Sequence, residues 1–433
     1  MVRERRARSR LEPLLMIVGV TLTLGVADSF SQMAVGKGKF LGNVWGSVGS
    51  PPLNYDLYWN QITPENASKW SSVEGTRNSY SWTRVDEIYN YCLAKSYPFR
   101  FHTLIWGQQY PSWITALDSA SQAQEIEEWI RLAGERYPSA SFVDVVNEPL
   151  PGHAPPPFKN ALGGNGATGW DWVIRSFQLA RQYMVKGVKL HINEYGIINN
   201  TQATQNYLTI INLLKSRNLI DGIGVQGHRF ELETADTNTI KNNLDALAAT
   251  GLPIYISEFD VAPSNQLNDA TQLAEYQRIF PILWRHPGIR GITFWGYIQG
   301  LTWQTNAYLI TSTGTERPAM QWLTSFMASI VSDVSDNPNL PSGFTLSQNY
   351  PNPFNPTTLI RYGLPWPSPV RLTVYSILGT KIRTLVDATQ AAGEHTVVWD
   401  AKDDHDNNVA SGIYFYRLEM ENSSLFGKMM LLR

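Results

Sequence analysis

The sequence predicts an α/β protein: a (β/α)8 barrel followed by a small all-β, immunoglobulin-like sandwich. Between residues 36 and 330, short β-rich runs alternate with longer stretches of helical spacing. The alternation supplies eight units in about 295 residues, the size of one such barrel. After residue 330 the texture changes to Ser, Asp, Asn and Pro, and then to short strands of two-residue alternation. The 433 residues are 43% hydrophobic and 17% charged, enough to fill a large core and unlike a disordered chain.

The barrel strands are expected at residues 41–45, 58–63, 99–106, 142–148, 189–195, 222–228, 253–260 and 291–296. Between them, residues 121–137 read as a helix opened by a capping box of Ser121 and Gln124, with Ile126, Trp129, Ile130, Ala133 and Tyr137 on one face. A doubly wound sheet fits the alternation nearly as well. No Gly-x-Gly-x-x-Gly follows the first strand, which weakens a nucleotide-binding reading.

At the N-terminus, Arg3, Arg5, Arg6, Arg8 and Arg10 precede an uncharged apolar run over 14–27 and small residues suited to cleavage. Residues 1–31 therefore read as a secretory signal peptide, and the product is expected outside the cell or on its outer surface. A membrane anchor is the alternative, but the run is shorter than the ~20 residues a span requires. No span is expected after cleavage. The single Cys92 forms no intrachain disulfide and reads as a small buried residue. With 35 Lys and Arg against 37 Asp and Glu and no basic stripe in the body of the chain, nucleic acid is not an expected partner. A monomer is expected.

Catalytic groups of such barrels stand at the C-terminal ends of strands. Those ends carry Trp106, Asn147 with Glu148, Glu194 with Tyr195, Gln226 with His228, Glu258 with Asp260, and Trp295. Glu148 and Glu258 each close an apolar strand, and two carboxyls flanking one bond are what acetal cleavage needs. The histidines have no zinc spacing and cysteine does not cluster, so neither a metal nor a cofactor is expected. The 15 Trp and 20 Tyr fit either core packing or flat platforms for sugars.

Six segments in order, at 59–70 (Trp-Asn-Gln-Ile-Thr-Pro-Glu-Asn-Ala-Ser-Lys-Trp), 102–106 (His-Thr-Leu-Ile-Trp), 144–149 (Asp-Val-Val-Asn-Glu-Pro), 222–228 (Gly-Ile-Gly-Val-Gln-Gly-His), 256–260 (Ile-Ser-Glu-Phe-Asp) and 293–296 (Thr-Phe-Trp-Gly), resemble glycoside hydrolase family 10, the endo-1,4-β-xylanases. The resemblance covers residues 38–330. It implies a retaining double displacement on xylan or xylo-oligosaccharides, with Glu148 as general acid/base, Glu258 as nucleophile, and Asn147 on the sugar 2-hydroxyl. It places Glu65, Asn66 and Lys69 on the glycone side and His102, Trp106 and Gln109 around the sugar at the cleavage point. Trp295 and Trp303 become stacking walls, Tyr195, Gln226 and His228 further substrate contacts, and His228 with Asp260 the pair that orients the nucleophile.

The chain also departs from the family pattern. Gly107 stands where many members carry His, suggesting free room beside Trp106; Ser68 replaces a common Met; and Ile192-Asn193-Glu194-Tyr195-Gly196 replaces an Asp-Tyr-Asn ending. The Pro/Gly-rich segment 149–169 is expected to cover or extend the aglycone side. Another β-1,4-glycanase activity, or a noncatalytic polysaccharide binder on the same fold, stays open as an alternative. Residues 331–343 read as a linker, and 344–433 as the sandwich, with strands near 359–362, 370–375, 395–400 and 413–418. That part resembles the C-terminal sorting domain of type IX secretion, which implies the secretion machinery as its partner, with a carbohydrate-binding module as the alternative.

Overall fold

The computed structural model describes residues 32–46, 50–233, 235–262, 268–330, 344–364, 368–390, 393–420 and 423–432. The expected leader at 1–31 and linker at 331–343 lie outside the described residues. Eight parallel strands follow one another as β1 (Phe40–Trp45), β2 (Ile62–Pro64), β3 (Arg100–Ile105), β4 (Phe142–Asn147), β5 (Lys189–Glu194), β6 (Gly222–Val225), β7 (Ile254–Phe259) and β8 (Ile289–Phe294). They pair in the order β2-β1-β8-β7-β6-β5-β4-β3, and a bridge from Ile62 to Phe99 brings the two outer strands together. Helices Thr83–Lys95, Ser119–Arg136, Asp171–Tyr183, Thr201–Lys215, Thr237–Ala248, Asp269–Arg285 and Pro318–Ser329 follow the strands in alternation. The strands are buried almost throughout, as expected of parallel strands covered on both faces.

The N-terminal end of the barrel is plugged by rings. Phe40, Phe142, His191 and Tyr255 lie with centroids 4.7–5.8 Å apart. Gly291 is required there, because a Cβ would sit 2.3 Å from the Phe40 ring. Burial pushes His191 down to about 3, so it packs as a neutral ring.

Two local expectations are corrected. Residues 58–63 are not one strand: Tyr55–Tyr58 is a helical turn and β2 begins only at Ile62. The turn buries Tyr55, whose hydroxyl lies 2.7 Å from the carbonyl oxygens of both Asn43 and Gln61, sharing its one proton between them and so tying β1 to the start of β2. The helix expected from Ser121 starts at Ser119, with Asp118 as its N-cap; Asp118 accepts from the amides of Ala120 and Ser121. Aspartate offers the stronger acceptor three residues ahead of the supposed box. The apolar face is as read, with Ile126, Trp129, Ile130, Ala133 and Tyr137 buried. Cys92 is buried as well.

The C-terminal part forms two antiparallel sheets, one of β9 (Thr345–Leu346), β10 (Thr358–Leu364) and β13 (Gly393–Trp399), the other of β11 (Ser368–Ser376), β12 (Lys381–Gln390), β14 (Gly412–Met420) and β15 (Ser423–Leu431). Their inner faces share one core that includes Ile360, Tyr362, Leu372, Trp399, Tyr416 and Leu431. β12 and β15 escape the sequence pattern because both are edge strands, and most of β12 is exposed or half-buried. Among the described residues, no helix is long and apolar enough to cross a membrane.

Replacing Asp118 by Ala should lower the melting temperature by about 2 °C, whereas Gln124→Ala should leave it unchanged in the same thermal scan.

Candidate active site

Of the residues the sequence singled out, Asn147, Glu194 and Glu258 lie within β4, β5 and β7, while Trp106, Glu148, Tyr195, Gln226, His228, Asp260 and Trp295 stand one to three positions beyond β3 to β8. The latter belong to the barrel mouth, where backbone bonds such as Gln226 to Glu194 and Trp295 to Phe259 carry the pairing just past the strand ends. Glu148 stands there with φ at +55°, a conformation unfavourable for a non-glycine residue. It is held there by two backbone bonds: its amide donates to the Asn193 carbonyl at 2.9 Å, and its carbonyl accepts from Ala154 at 3.1 Å.

Around the Glu148 carboxyl, Oε1 accepts from Gln226 Nε2 at 2.9 Å and Asn147 Nδ2 at 3.1 Å. The Trp106 indole nitrogen is buried without a partner, a donor suited to a sugar hydroxyl. Burial pushes the Glu148 carboxyl up, the nearby Glu258 charge adds to this, and the Gln226 bond only partly opposes it.

Glu258 meets different surroundings. Its Oε1 accepts from Asn193 Nδ2 at 2.7 Å, and its Oε2 lies 3.4 Å from His228 Nε2. His228 Nδ1 is in turn 2.8 Å from Asp260 Oδ2. Burial lowers the basicity of His228, but Asp260 and Glu258 more than compensate and raise it to about 10, so the ring is an imidazolium. Burial likewise pushes the Glu258 carboxyl up, yet His228, His102 and Lys69 together hold it below the usual range.

Asn193 is the important residue that the sequence reading passed over. It is fully buried, and one amide nitrogen donates to both Glu258 Oε1 and Asn147 Oδ1 while its oxygen accepts from Ser257 at 2.6 Å. Gly224 leaves the space for that amide, since a Cβ there would lie 2.5 Å from Asn193 Oδ1. The signal was its inward position two residues after His191 on β5.

The remaining predicted residues fall on both sides of this pair. Lys69 is buried and donates to Asn66 Oδ1 at 2.9 Å and Gln109 Oε1 at 2.6 Å, with the Trp106 ring 5.0 Å away. Burial lowers its pKa, opposed by Glu258, Glu65 and Glu148, so all three carboxyls surround it. Burial also raises Glu65. His102 Nδ1 is 2.9 Å from Asp144 Oδ2, and Arg100 grips the same carboxylate through two nitrogens. Trp295 lies edge-on to His102 with centroids 5.4 Å apart; Trp303 is 53% exposed, 4.7 Å from the His228 ring. Tyr195 is not a free platform: His153 stacks on it at 3.9 Å, held by a 2.7 Å bond from Glu194. His153 and the exposed Phe230, which sits edge-on to Tyr195, were not foreseen. Among the described residues, no group of three His, Cys, Asp or Glu side chains is placed to hold a metal ion.

Gly107 does not leave free room. The backbone of segment 149–169 fills it: the Gly107 amide donates to Ala154 O at 2.9 Å, and a Cβ on Gly107 would lie 2.4 Å from that oxygen and 2.6 Å from Pro155 O. Phe158 anchors the segment against Trp70 and Tyr110.

A mouth that holds one raised and one lowered carboxyl on a closed parallel barrel defines a glycosidase-type site. A model of glycosyl hydrolase family 10 matches residues 29–326, and the chain belongs to that family. Endo-1,4-beta-xylanase B of Cellvibrio japonicus (strain Ueda107) is 44% identical over 287 residues, which are 66% of this chain and 45% of that protein. The chain thus spans less than half of that relative's length. Endo-1,4-beta-xylanase 2 of Aureobasidium pullulans is 27% identical, over 70% of this chain and 90% of its own. Among solved structures, native xylanase 10B from Thermotoga maritima superposes with a TM-score of 0.62 at 21% identity, covering 69% of this chain and 98% of that one, a likeness of fold. Residues 356–424 match a model of the FlgD Ig-like domain.

Gly107→Ala should destabilise the protein by about 1–3 kcal/mol in denaturant unfolding, because a methyl group is forced against fixed backbone. Gly107→His should displace segment 149–169 instead of tuning sugar size, which a crystal structure of the variant would show.

Proposed function

We propose that the protein is a retaining endo-1,4-β-xylanase that hydrolyses internal bonds of xylan by double displacement. The observation that carries this is the opposite treatment of two buried carboxyls at one mouth, Glu148 raised and Glu258 lowered. The xylanase names of the family relatives support the choice of substrate. In the first step Glu258, ionised and held by Asn193 and His228, attacks the anomeric carbon while Glu148 gives its proton to the leaving oxygen. In the second, Glu148 as carboxylate takes a proton from water, and the water oxygen attacks the anomeric carbon from the face the leaving group left, displacing Glu258 and restoring the β configuration. Asn147 is the donor for the sugar 2-hydroxyl. Glu65, Asn66 and Lys69 line the glycone side, His102, Trp106 and Gln109 the sugar being cleaved, and Trp295 and Trp303 its stacking faces. Neutral xylan is then selected by fixed donors and acceptors between rings.

For the C-terminal sheets we propose a task in export or surface attachment through the secretion machinery, after removal of residues 1–31. Support comes from the resemblance of their sequence to sorting domains and from the inward packing of Tyr414 and Tyr416, which leaves neither ring as a sugar platform.

Release of reducing ends from soluble xylan, with a β-configured first product by NMR, tests the reaction. Glu258→Gln should abolish turnover on every substrate. Glu148→Ala should lose about 10²–10⁴-fold on xylan and spare the first step with aryl glycosides of good leaving groups. Wild-type activity on xylan should fall in acid as Glu258 is protonated, below the ordinary glutamate range, and fall in base as Glu148 loses its proton, above that range. The Glu148 variant should lack the basic limb. A chain ending at residue 331 should keep full activity on soluble xylan yet fail to reach the outer surface or medium of its host.

A further inference from the structure

Glu231 is a buried carboxylate that the reaction above does not use. It is 1% exposed and lies three residues beyond His228, in the short helix Arg229–Leu232. Its Oε1 accepts from two successive amides, Gly227 and His228, each at 3.1 Å. The rest of the carboxyl is buried as well, with the Gly196 amide facing it. A glutamate that merely caps a helix has no need of burial, since capping works in water and burying a carboxylate is costly. Gly227 serves the same arrangement: its φ of +79° turns the chain, and a Cβ there would meet Ile256 at 2.8 Å.

We propose that Glu231 is a positioning residue for the nucleophile: by gripping the Gly227 and His228 amides it fixes the His228 ring between Asp260 and Glu258, and loss of its charge loosens that grip. The inference rests on the retaining reaction proposed above. His228 is held at three points, its amide by Glu231, its Nδ1 by Asp260 at 2.8 Å, and its Nε2 facing Glu258 at 3.4 Å. The last of these is long, so a small shift of the ring changes it most. The groups facing Glu231 are the His228 imidazolium on its own lead-in, the Gly196 amide after β5, and, through their charges, His153 from the loop after β4 and Tyr195 from the loop after β5. On its own helix Arg229 is paired with Glu233. Burial pushes the Glu231 carboxyl up to about 7, with His228 and the amides opposing, so its charge changes within the neutral range. Below that value the proton weakens Oε1 as an acceptor; above it the grip is full.

The test compares the full chain with Glu231→Gln and Glu231→Ala, using kcat/KM on an aryl β-xylobioside whose good leaving group removes the need for the Glu148 proton. Wild-type kcat/KM should rise through pH 7. Glu231→Gln should follow it below that pH and fall behind above it by about threefold, with no inflection of its own. Glu231→Ala should lose about 10- to 100-fold in kcat with KM little changed. A Glu231→Gln profile that superposes on the wild type, or full kcat in the Ala variant, overturns the proposal. If wild type shows no turnover, the proposed reaction fails and the positioning role is judged by ¹⁵N NMR alone. The His228 titration near 10 should move down in folded Glu231→Ala, and an unmoved titration refutes the role.

Discussion

Burial drives both mouth carboxyls toward their neutral forms, and the site depends on that force being overcome at one of them only. At Glu258 the compensation comes from charge: the His228 imidazolium, sustained by Asp260 behind it and by Glu258 itself, with His102 and Lys69 adding to it. At Glu148 the contacts are neutral amides, which cannot offset desolvation plus the charge on Glu258. Two identical side chains are thus shifted in opposite directions by the company they keep, the division an acid and a nucleophile require.

The barrel makes this division affordable by separating what must be rigid from what must be irregular. Glu258, Asn147 and Asn193 stand on the last two residues of β7, β4 and β5, whereas Glu148, Gln226 and Asp260 stand just past the strand ends. The unfavourable φ of Glu148 is carried at the first residue past β4, where the Asn193 carbonyl and the Ala154 amide fix it from both sides. Ala154 in turn closes on Gly107, so the end of β3, the end of β4 and segment 149–169 are one backbone knot. A side chain at Gly107 would have to break that knot.

What could be read from the sequence follows the range of the interactions involved. Glu148 and Glu258 were legible because each ends a run whose apolar character is local, and the six-segment pattern fixed their neighbours. Asn193 was not, because its importance arises across β5, β7 and β4, between side chains 46 to 65 positions apart. Gly107 was misread for the same reason: a missing side chain looks like space until the chain that fills it is traced. Asp118 was missed where two acceptors three residues apart competed and only hydrogen-bond geometry chooses. Edge strand β12 lacks the half-buried alternation that marks its neighbours.

Lys69 shows how the two sides of the mouth are coupled. An ammonium has three donors. Two are spent on Asn66 and Gln109, neutral oxygens that fix its position without cancelling its charge. The charge is felt by Glu258, Glu65 and Glu148 alike, and burial lowers the Lys69 pKa against their pull. The cation proposed for the glycone side therefore also helps hold the Glu258 carboxyl below its usual range. A sugar hydroxyl entering there meets a donor already oriented, and the third N–H is the one left for it. The proposed substrate contact and the electrostatic support of the nucleophile thus converge on one side chain, whose position is set by uncharged partners that leave its charge to act on the carboxyls.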